Sequence, residues 1–191
     1  MIFDYPDDRA NRRHGPVGYA NYENYRPWLR DEFDFRCVYC LEREVWTKKK
    51  RAFEIDHVSP VSKSEEHAKL DYDNLVYACA RCNSVKSDQS VSDPFYTLTK
   101  SSIVIDESGK AVGTTRESRL LIRKMDLNSD CMIQWRCLKL EHAELAKGNS
   151  QALALLTRLP GDLPDLAALN PRQNSRPDGI LHSWKAKQER N

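Results

Sequence analysis

Two Cys-x-x-Cys pairs, Cys37/Cys40 and Cys79/Cys82, constrain this chain more than any other feature of its sequence. Each pair is a knuckle that offers two sulfurs, and two knuckles together supply four thiolates, which suit a closed, tetrahedral, structural zinc. A site of that kind obliges two segments far apart in sequence to meet, and it makes metal binding part of folding. The first residues, MIFDYPDDRANRRHG, show no apolar stretch followed by small residues. A secretory leader is therefore not expected, and a cytoplasmic location is. In that reducing environment the cysteines read as metal ligands or buried thiols rather than disulfides. Cys131 and Cys137 stand apart in a helical pattern and are expected to be core thiols.

Composition bounds the rest. The chain has 191 residues, 40% apolar and 30% charged, enough for one good core or a small core with a helical appendage. No run approaches the ~18 apolar residues of a membrane span, so no membrane association is expected. With a formal net charge of only +2, any nucleic-acid binding has to come from local patches.

The residues between the two pairs carry a second pattern. Phe53 to Val58 alternates and favours β structure, so a short strand ends at Ser59-Pro60 with Asp56 and His57 at its tip. A polar loop over 61–73 leads to a second strand over 74–78, and ARCNSVKSDQS supports a helix from Ala80 to about Gln89 that puts Asn83 and Lys86 on one face. Asp56 and Asn83 offer hard oxygen ligands suited to Mg2+ or Mn2+, and the His57 imidazole can act as a general base near neutral pH. A metal clamp beside a base is what phosphodiester hydrolysis needs. Residues 42–51 form a basic loop around Trp46, with five basic residues against Glu42 and Glu44, a candidate phosphate-docking segment.

CxxC, then DHxxP, then Asn-Leu-x-x-x-Cys-x-x-Cys-Asn-x-x-Lys, in that order over Cys37 to Lys86, resembles the HNH endonucleases of the ββα-metal class, in the subgroup stapled by a four-cysteine zinc. The resemblance implies an α+β fold: a small ββα-metal centre held by zinc, with additional packed helices and a short hairpin. It implies that His57 is the general base and that Asp56 and Asn83 ligate the catalytic divalent ion. It further implies that Asn74 pins the loop between the strands, that Lys86 faces a phosphate, and that Cys37, Cys40, Cys79 and Cys82 hold the structural zinc. Asn83 stands where the family often has His, and its amide oxygen favours a hard cation, Mg2+ or Mn2+, over zinc. The expected substrate is double-stranded DNA. The phrase GTTRESRLLIRKMDLN is similar to a segment found in stand-alone restriction and phage-defence HNH proteins, which adds a protein partner of a defence system to the expected partners. A zinc-stapled nucleic-acid- or protein-binding module without catalysis is the alternative; it accounts for the cysteines and the basic loop and leaves Asp56, His57 and Asn83 without a task.

Around this centre, taken as residues 25–92, the sequence reads as an irregular N-terminal arm over 1–24, a hairpin plus helical extension over 93–159, and a mostly extended tail over 160–191. In the arm, Arg9, Arg12 and Arg13 read as solvated or phosphate-contacting. Trp28, Leu29 and Phe33 share a face of a short helix opened by Pro27. Gly109 turns the hairpin, Thr114 and Glu117 have capping-box spacing for a helix over 115–125, and helices follow over 130–147 and 150–159. In the longer one, Met132, Trp135, Leu138 and Leu145 form the expected buried stripe. In the tail, Leu181 and Trp184 beside Lys185 and Lys187 read as an unanchored terminus or a partner contact.

Overall fold

The computed structural model describes residues 2–47, 52–63, 65–170 and 173–190, with the side chain of Glu66 left aside. The chain begins with an irregular arm, which enters a 3-10 turn, Tyr22–Tyr25, and then helix α1, Arg26–Glu32. Strand β1, Phe53–His57, and strand β2, Leu75–Cys79, pair antiparallel, with Phe53 opposite Cys79 and His57 opposite Leu75. Helix α2, Ala80–Lys86, follows β2 without a break. This is the α+β arrangement the sequence implies, two strands and a helix carrying a four-cysteine cluster.

β2 is buried along its whole length, whereas β1 buries Phe53, Ile55 and Asp56 and leaves Glu54 and His57 partly accessible. Such a short ribbon is not stable alone. α1 covers it through Trp28 and Leu29, both buried, and Phe53 stacks on Tyr77 with ring centroids 5.0 Å apart. Beyond the centre, helix α3, Pro94–Thr97, precedes the hairpin of β3, Ile103–Ile105, and β4, Ala111–Gly113. Gly109 in its turn has φ +77°, and a Cβ there would lie 2.9 Å from the Ile133 carbonyl, so the turn requires glycine. Helices α4, Arg116–Lys124, α5, Asp130–Leu145, and α6, Ser150–Thr157, complete the extension.

Several local expectations are corrected. The cap of α4 is built by Thr115 with Ser118 rather than by Thr114 with Glu117, because the helix starts one residue later than the capping-box spacing implies. On α5, Met132 is buried, and Trp135 packs edge-on against Phe3 and Trp46, but Leu138 and Leu145 are exposed. A fully buried Arg136 takes the core position instead, where its guanidinium donates to the carbonyls of Gly109 and Leu127. Cys137 is half-buried and donates to the Ser108 carbonyl, whereas Cys131 lies exposed rather than in the core.

The arm and the tail are tied down. Arg12 is buried, donates to the Leu75 carbonyl at 3.0 Å, and lies over the rings of Phe33 and Phe95. Arg13 reaches Asp31 and Asp34. These two arginines therefore serve the fold from inside, since apolar rings and inward carbonyls reward a guanidinium more than water does there. The tail is less extended than expected. It carries 3-10 turns at Leu166–Ala168 and Pro177–His182 and helix α7, Trp184–Glu189. Trp184 donates from its backbone to Asp31 and from its indole to Asp34, and Arg176 makes a two-pronged ion pair with Asp73 at 2.8 and 2.5 Å. Trp184 is thus anchored, while Leu181 is exposed. Among the described residues no helix is long and apolar enough to cross a membrane.

Candidate active site

The cysteine cluster comes first because it locates everything else. The two pairs meet where the knuckle after α1 packs under the β2–α2 junction, and the Val38 amide donates to the Tyr77 carbonyl at 2.9 Å. All four sulfurs are buried and lie within 4.8 Å of one another, with Cys40 and Cys79 3.7 Å apart. A tetrahedron with Zn–S bonds of about 2.3 Å has edges of about 3.8 Å, so the spacing fits zinc. The electrostatics fit as well. Burial pushes the Cys37 thiol up, while hydrogen bonds from Cys37, Cys40 and Cys82 pull the Cys79 thiol down. Four buried thiols cannot all ionise in each other's company unless a cation compensates them.

The second residue inside the first pair links this cluster to the carboxylate. Tyr39 is fully buried, and its hydroxyl donates to Asp56 Oδ2 at 2.8 Å. The Tyr39 carbonyl in turn accepts from the Tyr5 hydroxyl at 2.6 Å. The knuckle thus sets one side of Asp56.

Strand alternation sets the other side. Glu54 and Asp56 sit two apart on β1 and face α2. There the Lys86 ammonium donates to Asp56 Oδ1 at 3.0 Å and to the His57 carbonyl at 2.6 Å, and the Asn83 amide Nδ2 donates to Glu54 Oε2. Asn83 and Lys86, three apart on α2, thereby meet alternate residues of β1. Burial raises the Asp56 pKa above 3.8, with Lys86 and the Tyr39 hydroxyl pulling it back.

His57 lies at the end of β1, half-buried, with Nε2 3.2 Å from the Lys69 carbonyl. A carbonyl oxygen can only accept, so Nε2 carries the proton and Nδ1 keeps its lone pair. The Tyr22 ring stands edge-on to the imidazole, centroids 5.0 Å apart. Burial lowers the His57 pKa below 6.5, against the opposite pulls of the Lys69 carbonyl and Asp56, so the neutral ring persists into mildly acid solution.

Asn74 closes the loop between the strands. Its Oδ1 accepts from the Ser59 amide at 2.8 Å, and its Nδ2 donates to the carbonyls of Ser59 and Ala68. Fixing Ala68 fixes its neighbour Lys69, whose carbonyl holds the imidazole.

The fold therefore brings Asp56, His57, Asn83 and Lys86 together along β1 and α2, with Asn74 bracing the loop and the four cysteines behind. Lys86 is placed differently from the reading that faced it to a phosphate: it is buried, and its ammonium points at Asp56 and the His57 carbonyl. A carboxylate buried with the strand needs a charged partner, and Lys86 supplies it. Three participants escaped the sequence reading, Tyr39, Glu54 and Tyr22. Glu54, two before Asp56 on a strand, was legible by period. Tyr39 and Tyr22 carried no signal beyond their proximity to the motif. In the basic loop, Lys48 to Arg51 lie outside the described residues; Trp46 is packed, its indole donating to the Leu156 carbonyl at 2.8 Å.

The donor set also fits a hard divalent ion. Each carboxylate oxygen has two lone pairs, and on Asp56 each has one such partner, Tyr39 or Lys86. Mg2+ takes one or two protein oxygens and keeps several waters, which Asp56 and the Asn83 amide oxygen can provide.

Residues 37–89 match the family model described as HNH endonuclease. The resemblance read from the sequence is borne out over this segment, which spans both cysteine pairs, Asp56, His57, Asn74, Asn83 and Lys86. No curated protein and no solved structure matches the chain.

Proposed function

We propose that this chain is a metal-dependent endonuclease that hydrolyses phosphodiester bonds of double-stranded DNA, with His57 as general base. The observation that carries the reading is the His57–Lys69 hydrogen bond. It leaves Nδ1 of a half-buried, neutral imidazole as the basic atom, next along the strand to Asp56. Asp56 and Asn83 would hold Mg2+ or Mn2+, which when bound supplies Lewis-acid polarisation of the phosphate and charge stabilisation. His57 Nδ1 takes a proton from the attacking water as the new P–O bond forms, and the bond to the 3′ oxygen breaks, the departing 3′ oxygen taking a proton from solvent to leave as a hydroxyl. A base so placed is worth ~100 to 10,000-fold in rate. Asn74 acts through the loop, keeping the Lys69 carbonyl where the imidazole needs it. Lys86 orients Asp56 and holds the His57 carbonyl at the strand end, and the cysteines hold a structural zinc.

The cysteine chemistry favours a reducing, cytoplasmic setting, and a restriction or phage-defence role with a protein partner rests on the sequence resemblance. One observation favours the alternative, a zinc-stapled binding module: Asp56 is buried and both its oxygens already have protein partners. Incubation of supercoiled plasmid with the purified chain separates the two. Nicking or linearisation in Mg2+ or Mn2+ that stops with EDTA and with His57→Ala is the expected result. A folded, zinc-loaded chain that leaves the plasmid intact under all conditions supports the binding module or an effector that awaits its partner, and a pull-down from native cells separates those two.

A further inference from the structure

Glu54 is half-buried on a two-stranded ribbon, and among the described residues its carboxylate meets the amide end of Asn83. Two consequences follow from elementary chemistry.

The first is orientation. An asparagine side chain presents an oxygen at one end and an NH2 at the other, and rotation by half a turn exchanges them. A carboxylate only accepts, so Glu54 selects the rotamer in which Nδ2 faces it and Oδ1 is turned away. Oδ1 is the hard donor a divalent cation requires.

The second is charge. Lys86 and Asp56 form a buried ion pair at 3.0 Å, so the Asp56 charge is already balanced by a lysine. Without Glu54, the group made by Asp56, Lys86 and Asn83 is neutral. With Glu54, it carries one net negative charge beside the candidate ligands, on the same face of β1 as Asp56. Bound groups behind metal ligands act in this way, by fixing the ligand and raising the local attraction for the ion.

From this we infer that Glu54 is a positioning residue for the divalent-metal site, holding the Asn83 amide oxygen toward the ion and supplying the negative charge that Lys86 removes from Asp56. The inference rests on the proposed site at Asp56 and Asn83, and its test keeps the two separable. Binding of Mn2+ to the zinc-loaded chain is followed by the electron paramagnetic resonance of free Mn2+, with zinc content and thermal unfolding as checks on the fold. Asp56→Asn is the control for the site. Glu54→Gln keeps an oxygen that can accept from Asn83 but lacks the charge, and the expected result is Mn2+ affinity lower by ~10- to 100-fold. Glu54→Ala removes both functions and is expected to weaken binding at least as much. If Asp56→Asn binds Mn2+ like the unaltered chain, the site itself is wrong. If Asp56→Asn abolishes binding while Glu54→Gln and Glu54→Ala bind normally, the site stands and the role of Glu54 is overturned. Should both lose zinc or cooperative unfolding, Glu54→Asp keeps the charge but shortens the reach to Asn83. A measurable loss of affinity in that variant supports the orienting role, and unchanged affinity overturns it.

Discussion

The Lys86 ammonium lies 3.0 Å from Asp56 Oδ1, and both groups are almost wholly inaccessible, at 1% and 5% of side-chain exposure. Removing one partner of such a pair strands the other charge in a medium that solvates it poorly, which costs about 3–5 kcal/mol. Lys86→Met is therefore expected to lower stability by that order in urea unfolding. The sign of its pH dependence follows from Asp56. Its pKa is already raised by burial, with Lys86 opposing the rise. Loss of Lys86 lifts it further above the unfolded value, so the penalty applies where Asp56 is ionised and shrinks as falling pH lets it protonate. The difference between variant and unaltered chain should be larger at about pH 8 than at about pH 5. A loss under 1 kcal/mol that does not change with pH would show that the pair contributes nothing to the centre.

The proposed base makes its own prediction about the acid limb of cleavage. Catalysis through His57 Nδ1 needs the neutral ring, and burial holds its pKa below 6.5. Activity should accordingly survive to a lower pH than an ordinary histidine allows, and kcat/KM should fall only as pH drops below 6.5. A rate profile at saturating Mg2+ measures it. An acid limb centred above that value would mean that another group sets the proton balance.

The cysteine cluster predicts a stoichiometry. The closed four-sulfur site should hold a single zinc ion per chain, released by a chromophoric chelator under denaturing conditions. With an apparent binding free energy of roughly 10–16 kcal/mol at stake in sites of this class, Cys79→Ser should lose the metal and the cooperative unfolding transition together. Circular dichroism of Cys79→Ser matching that of the unaltered chain, or zinc absent from the purified protein, would sink the structural role.

How far the sequence spoke for itself depended on the scale of the signal. The β1–β2–α2 order and the pairing of the four clustered cysteines were legible because alternation, punctuation by Ser59-Pro60 and knuckle spacing are local properties. The hairpin at Gly109 and the helices after it were legible for the same reason. What escaped is set by packing between distant segments. Arg12 and Arg13 read as solvated because nothing local shows that Phe33, Phe95 and Asp31 await them. The tail read as extended because its prolines suppress periodicity, and only the fold shows Trp184 reaching Asp31 and Asp34. Lys86 read as phosphate-facing because its helical position is visible in sequence while the direction of its ammonium is not. Leu138 and Leu145 show the converse, apolar residues at helical spacing that remain exposed while Arg136 takes the core.

Tyr39 offers the sharpest test of whether the cysteine knuckle and the carboxylate work as one unit. Its ring is fully buried and its hydroxyl gives Asp56 Oδ2 a hydrogen bond at 2.8 Å. Tyr39→Phe deletes that donor and leaves the ring packing nearly intact. A hydrogen bond to a charged group contributes about 1.5–3 kcal/mol, so thermal and urea unfolding should register a loss of that order. Zinc content should stay unchanged, because the four sulfurs keep their backbone. Cleavage should fall as well if Asp56 is a ligand, since the carboxylate loses one of the two partners that aim it. A variant that loses stability but cleaves at the original rate would separate the two roles, leaving Tyr39 in the core of the fold and Asp56 free of its influence. A variant that loses zinc would instead show that the hydroxyl is needed to form the knuckle, before any carboxylate is aimed.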